Sequence, residues 1–280
     1  MIHVGFSMHP RWASAEHAAT FLEPLREAGL SAVEFELDSN DAHWPEFPPL
    51  IETCRDMGFT LCFHAPYRAP HTIAGFAGSQ RDEIIQPLGP IYDVAAKYGP
   101  ATIVIHGAKD ALRPRALLYA DTVAFLQWVL DTYSELTVAL ENLNPDPAAN
   151  KVGCDRAEVK RIVQKVDHPR LGICWDVGHD VNGGARRLPR AKWLGLVRHV
   201  HIHDLDDRGL DHYPLIYGKV VAERWLPPLA RAGFAGIVTL ELNGARCGFL
   251  WPDRIASALV GSVRAIHEAL HATEGKEDEA

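Results

Sequence analysis

Eight short runs rich in β-branched and aromatic residues punctuate this chain, at 2–6, 32–36, 60–64, 102–106, 137–141, 171–176, 198–203 and 237–241, with helix-patterned stretches between them. Most of the runs are continuously apolar, as strands covered on both faces are, and alternation with helices implies parallel strands joined by crossovers. Eight such units point to an α/β fold whose sheet closes on itself, a single-domain (β/α)8 TIM barrel. At 280 residues and 47% hydrophobic content the chain suffices for one such domain and requires no second.

The intervening stretches carry helix signals. Residues 14–28 place Ala18, Phe21, Leu22 and Leu25 on one stripe, with Ser14 as the expected cap and Gly29 as the stop. Gly58, Gly99 and Gly233 repeat the stop after helices ending at Met57, Tyr98 and Ala232. The sixth unit is the weakest, since residues 189–197 leave room for only a short helix. The barrel is expected over residues 1–272, followed by a disordered acidic tail at 273–280, TEGKEDEA.

Composition narrows the class of activity. No apolar run approaches the roughly 20 residues that span a bilayer. The first residues already read as a strand, so a soluble cytoplasmic protein with no membrane partner is expected. Cys54, Cys62, Cys154, Cys174 and Cys247 are scattered without a C-x-x-C pair and are expected to be apolar fillers. A formal net charge of −8 argues against a nucleic-acid partner. Lys109, Arg68, Arg186 and Arg187 could meet a phosphate, with solvated surface charge the plainer reading. Trp12, Trp44 and Trp251 fall in loops, as exposed contact residues or a substrate lid, and a homo-oligomer remains open.

Six runs end in residues with metal-ligating side chains of interest: His64, His106, Glu141, Asp176, His201 with His203 beside it, and Glu241. All strand C-termini of a parallel barrel open onto one face, so these residues would converge in one pocket. A buried, unpaired carboxylate costs several kcal/mol, and three at one mouth repel each other unless a cation stands among them. Three carboxylates and one imidazole suit Mn²⁺, Co²⁺, Fe²⁺ or Mg²⁺ better than a thiolate-seeking ion. His199, His201 and His203 alternate along one strand and share a face, and depth alone does not choose among them. A cation there would polarise a carbonyl or hydroxyl of a sugar-like substrate, letting one glutamate remove a proton and another return it. Return to the same carbon from the opposite side is epimerisation; return to the next carbon is aldose–ketose isomerisation.

A string of motifs in fixed order resembles the xylose isomerase-like barrels, a family that includes apurinic/apyrimidinic endonuclease family 2. The resemblance runs from Val4 to about His267. It is carried by His64-Ala65-Pro66-Tyr67, Ile105-His106-Gly107, Leu140-Glu141-Asn142, Asp176-Val177-Gly178-His179, His199-Val200-His201-Ile202-His203-Asp204, His212-Tyr213-Pro214-Leu215 and Leu240-Glu241. The resemblance implies that Glu141, Asp176, His201 and Glu241 hold one divalent ion, manganese first, with Co, Fe, Mg or Zn as alternatives. It picks His201 by its spacing from Asp204, makes Glu141 and Glu241 the acid/base pair, and gives His179 a contact to substrate oxygens. His64, His106 and His212 would line the substrate pocket. The implied activity is that of a sugar, sugar-phosphate or keto-polyol isomerase or epimerase.

In the endonuclease IV branch the same four positions, with those of His64, His106, His179 and His212, help build a three-zinc site for abasic DNA. Here Leu210 stands where that branch has an aspartate, the acid is Asp211 beside His212, and Ile216-Tyr217 replace its Gly and Glu. The first loop, Ser7-Met8-His9-Pro10-Arg11-Trp12, lacks that branch's Gly-Gly-Leu pattern. An enolising lyase or dehydratase on the same barrel, and a metal-free sugar-binding relative, are the further alternatives.

Overall fold

The computed structural model describes residues 1–146, 148–247 and 252–272, the side chains of Pro252 and Asp253 excepted. Trp251 and the expected tail at 273–280 lie outside the described residues. Eight parallel strands close in sequence order: β1 (His3–Met8), β2 (Leu30–Glu36), β3 (Thr60–His64), β4 (Ala101–Ile105), β5 (Leu136–Glu141), β6 (Leu171–Asp176), β7 (Val197–Ile202) and β8 (Ile237–Leu240). Parallel pairing of β1 with β8 completes the ring, which leaves no strand edge exposed.

Helices follow each strand on the outside: α1 (Ala18–Glu27), α2 (Phe47–Asp56), α3 (Arg81–Lys97), α4 (Arg115–Thr132), α5 (Arg156–Val166), α6 (Val177–Asn182), α7 (Ala191–Leu194), α8 (Ala222–Trp225), α9 (Pro227–Arg231) and α10 (Pro252–His271). The outward residues of each strand, such as Val33 and Phe35 of β2, join helix residues such as Leu22, Leu25 and Leu50 in the main apolar core. Gly29, Gly58 and Gly233 stop their helices at positive φ, as expected. Gly99 is different: it has no positive φ, and the helix ends where Pro100 follows it. Ser14 is not the cap of α1, because its hydroxyl pairs with His17 Nδ1 at 2.9 Å and the helix begins only after His17. The sixth unit has the short outer helix expected, α7, of four residues.

Trp12 and Trp44 are half-buried rather than exposed, packed against Phe6 and Phe47. All five cysteines are free, and burial pushes the Cys54 thiol up to about 12 and those of Cys62 and Cys174 well above the usual range, as inert fillers require. No helix among the described residues is long and apolar enough to cross a membrane.

Candidate metal centre

Glu141 is the last residue of β5, and the asparagine that follows fixes where it stands. Asn142 Nδ2 donates to the Asp176 carbonyl at 2.9 Å, and Asn142 Oδ1 accepts from the Asp176 backbone N–H at 2.8 Å. This reciprocal pair locks the ends of β5 and β6 together where the backbone ladder stops. Asp176 in turn caps α6, its Oδ1 accepting from the His179 backbone N–H at 2.6 Å. His203 Nε2 donates to Asp176 Oδ2 at 3.2 Å, while His203 Nδ1 accepts from the His212 backbone N–H at 3.0 Å. The two bonds fix the tautomer, so His203 is a donor that orients Asp176. Gly178 is required beside it, because a Cβ there would lie 2.1 Å from the His203 ring.

His201 stands at the centre. Its Nδ1 lies 3.2 Å from Glu241 Oε2, 3.6 Å from Glu141 Oε2 and 4.0 Å from Asp176 Oδ2. Its other nitrogen, Nε2, donates to Glu34 Oε1 at 2.9 Å. Burial lowers His201, but Cys174, Glu241 and Glu34 prevail and raise it well above the usual range; an ion would take the place of the Nδ1 proton while Glu34 holds the one on Nε2, the arrangement of a carboxylate–histidine–metal relay. Glu34 lies on β2 and was not among the residues singled out from sequence. It also accepts from Thr239 Oγ1 at 2.9 Å and lies 2.7 Å from His199 Nε2. Burial pushes the Glu34 carboxyl up, but the charges and hydrogen bonds of His201 and His199 outweigh it and hold it far below the usual carboxylate range. The signal was available: in strand 32–36 a glutamate shares the face of Ala32, opposite Val33 and Phe35, and so points into the barrel.

The remaining histidines gather on the glutamates. His64 Nε2 and His106 Nε2 approach Glu141 Oε2 at 3.2 and 3.0 Å. They titrate in opposite directions. Burial lowers both, but for His64 the bond and charge of Glu141 prevail and raise it to about 9, whereas His106 falls to about 4. His64 is buried against Glu141, while His106 is partly exposed and stacked on Tyr67 with ring centres 4.1 Å apart. His179 Nδ1 donates to the Asn142 carbonyl at 2.9 Å and lies 3.1 Å from Glu141 Oε1. His212 Nε2 lies 3.2 Å from Glu241 Oε2, and its Nδ1 donates to Asp211 Oδ1 at 2.8 Å.

Ligand atoms from Glu141, Asp176, His201 and Glu241 all lie within 4.8 Å of one another. Three polar atoms in this set, Glu141 Oε1, His201 Nδ1 and Glu241 Oε2, are buried without a directed hydrogen bond. Buried polar atoms are rarely left so, and a set of oxygens with one imidazole fits a divalent ion of the Mn²⁺, Co²⁺, Fe²⁺ or Mg²⁺ type. The four-residue set read from sequence is therefore brought together in space. Asp176, His179, His203 and His212 also converge, but the donor role of His203 leaves it no lone pair for an ion.

Above the cluster the barrel mouth opens into two lobes of about 190 Å³ each, which share Tyr67, His212, Glu241 and Arg246. One lobe carries Glu36, Asp38 and Asp41; the other carries Lys109 and Lys151 beside Glu141 and His179.

A closed parallel barrel with converging acids and imidazoles at its C-terminal mouth defines the class of barrels whose site is built from strand ends. The chain belongs to the xylose isomerase-like TIM barrel family, whose sequence profile matches residues 22–265. It is 26% identical over 98 residues to an uncharacterised protein of Methanocaldococcus jannaschii, a match that spans 34% of this chain and 33% of that protein. Among solved structures it is similar to a D-tagatose 3-epimerase-like protein at TM-score 0.70 and 18% identity, covering 98% of each chain. It is also similar to an L-ribulose 3-epimerase at TM-score 0.68 and 16% identity, covering 99% of this chain and 97% of that one. A D-allulose 3-epimerase from Methylomonas sp., in complex with D-allulose, matches at TM-score 0.65 and 15% identity, covering 95% and 94%.

Proposed function

We propose that this protein is a divalent-metal-dependent epimerase or isomerase of a polyhydroxylated keto substrate. The observation that carries the reading is the unpaired His201 Nδ1 set among Glu141, Asp176 and Glu241, with Glu34 holding the proton on the far side of the ring. Glu141, Asp176, His201 and Glu241 would hold the ion, manganese first among the candidates. When bound, the ion would polarise the substrate carbonyl and acidify the adjacent C–H.

The protein's own groups then move the proton. Burial raises Glu141 and Glu241, but His106 with hydrogen bonds from His179 and His201 at the first, and the charges and hydrogen bonds of His201 and His212 at the second, hold both carboxylates well below the usual range. One removes the proton from the activated carbon, and the other, protonated in exchange with solvent, returns a proton to the opposite side. Return to the neighbouring carbon would give isomerisation, and expulsion of a β-hydroxyl from the enolate would give dehydration. His179, with Nδ1 donated to Asn142, keeps Nε2 for a substrate oxygen, and His106 and His212 line the same lobe.

Structural similarity to sugar 3-epimerases supports this reading through the fold. A second reading rests on His64 and His106 meeting at one oxygen of Glu141, a geometry that could take another ion for phosphodiester hydrolysis at abasic DNA. Against it, Asp211, the acid nearest His212, is already bound by His212, Asn144 and Arg246. The test is a screen of ketoses and keto acids in D2O with Mn²⁺. Metal-dependent deuterium entry at carbon, reduced by about 10²- to 10⁴-fold in Glu241→Gln, is expected. Full exchange in that variant would overturn the assignment, and cleavage of an abasic duplex without exchange would favour hydrolysis.

A further inference from the structure

We propose that the lobe carrying Lys109 and Lys151 is a subsite for an anionic substituent of the substrate, a terminal phosphate or carboxylate. The proposal rests on the epimerase/isomerase reading for the identity of the substrate's other end, but not for the subsite itself. Lys109 follows β4 by four residues and pairs through its backbone with Lys151 in an isolated antiparallel bridge, which brings two ammonium-bearing segments side by side. Among the described residues, the ion-pair partner of Lys151 is a loose one, Asp146 Oδ2 at 3.8 Å. Lys109 has no carboxylate within 4.0 Å among the described residues; its Nζ rests over the Tyr67 ring, 5.1 Å from the centroid. Burial first, then the charges of Lys151 and Arg68, lower the Lys109 amine, with Asp146 a partial offset. Two neighbouring cations that are half-buried and under-neutralised form a site complementary to an anion.

Position makes it a substrate subsite rather than a surface patch. Lys109 and Lys151 line the same lobe as Glu141, His179, His212 and Glu241, so one small molecule can touch both ends. The contact chain is short: Lys109 lies on Tyr67, Tyr67 stacks on His106, and His106 reaches Glu141. The opposite lobe carries Glu36, Asp38 and Asp41 together with Arg11 and Arg68, with Arg11 Nη2 3.7 Å from Asp41 Oδ2, a mixture of donors and acceptors suited to hydroxyl groups. With its anionic terminus at Lys109 and Lys151 and its reacting carbon between the glutamates, a chain-like substrate extends its polyol end toward the opposite lobe. Arg246 also borders both lobes, but it is tied to Asp211.

Two linked experiments test this. Inorganic phosphate is titrated calorimetrically into the manganese-loaded protein, into Lys109→Gln and Lys151→Gln, and into Glu241→Gln. Saturable binding, weakened at least about tenfold in each lysine variant and kept in Glu241→Gln, is expected. Absence of saturation, or equal binding in the lysine variants, overturns the subsite. The deuterium screen then pairs each neutral ketose with its terminal phosphate and its terminal carboxylate. Preference for the phosphate or the carboxylate partner, with KM raised more than kcat is lowered in Lys109→Gln, supports the subsite and distinguishes the two sources. Equal turnover of neutral ketoses, unaffected by Lys109→Gln, removes the subsite and leaves the epimerase reading standing. Phosphate binding lost in Lys109→Gln, with no exchange on any substrate, keeps the subsite and removes the epimerase reading.

Discussion

Replacing Glu34 with glutamine keeps the shape of the side chain and removes the charge that receives His201 Nε2–H and sits beside His199 Nε2. His201 would then lose the constraint that keeps its Nδ1 lone pair on the side of the carboxylates. Partners of this kind typically change metal affinity by about 10- to 100-fold, so Glu34→Gln is expected to weaken manganese binding within that range. Competition against a chelating dye measures it, and a near-wild-type melting temperature distinguishes lost orientation from lost folding. At the same scale, Gly178→Ala should not be tolerated: the added methyl falls on the His203 ring, which must leave Asp176. Weakened metal binding together with a lowered melting temperature is expected.

At the scale of elements, the loop after β7 hangs from one carboxylate. Asp204 is fully buried and accepts from the backbone N–H groups of Tyr217, Gly218, Lys219 and Val220, and of Leu205 beside it. Only the Leu205 and Val220 donors among these are buried, and orphaned buried donors cost about 1–3 kcal/mol each, so Asp204→Ala is expected to lower unfolding stability by at least about 2 kcal/mol in urea titrations, with Asp204→Asn recovering part. The aspartate that served to number the motif from sequence thus has a structural task. The strands themselves were legible because a continuously apolar run leaves little choice in a two-sided environment. Their last residues shifted only slightly, with His106, His203 and Glu241 one position beyond β4, β7 and β8. Ser14 misled because a helix start is decided by a competing local bond, here to His17, which no composition reveals. Lys109 looked like surface charge because the bridge to Lys151 joins segments 42 positions apart.

For the whole molecule, the converging strand ends couple ion binding to protonation. Burial lowers His64 and His179, but Glu141 at the first and Asp176 with Glu141 at the second outweigh it, raising each to about 9 from an ordinary 6.5. Without an ion, the stability these protonated rings contribute is therefore complete below about pH 6.5 and is lost as pH rises through about 9. Apo-protein melting temperatures should fall across that window, and metal loading near pH 7.5 should release protons, seen as heats that change with the ionisation enthalpy of the buffer. Positions of the four proposed ligands were readable because a barrel gathers strand ends wherever they fall in the chain; the inward face of Glu34 was legible too, but its pairing with His201 joins β2 to β7 across the closed sheet.

The most direct test of the proposed centre is the metal content of protein purified without chelator or nickel resin, measured by mass spectrometry. About one manganese, cobalt, iron or magnesium ion per chain, lost in Asp176→Ala, is expected. A protein that binds no divalent ion, or that carries two or three zinc ions per chain, would contradict it.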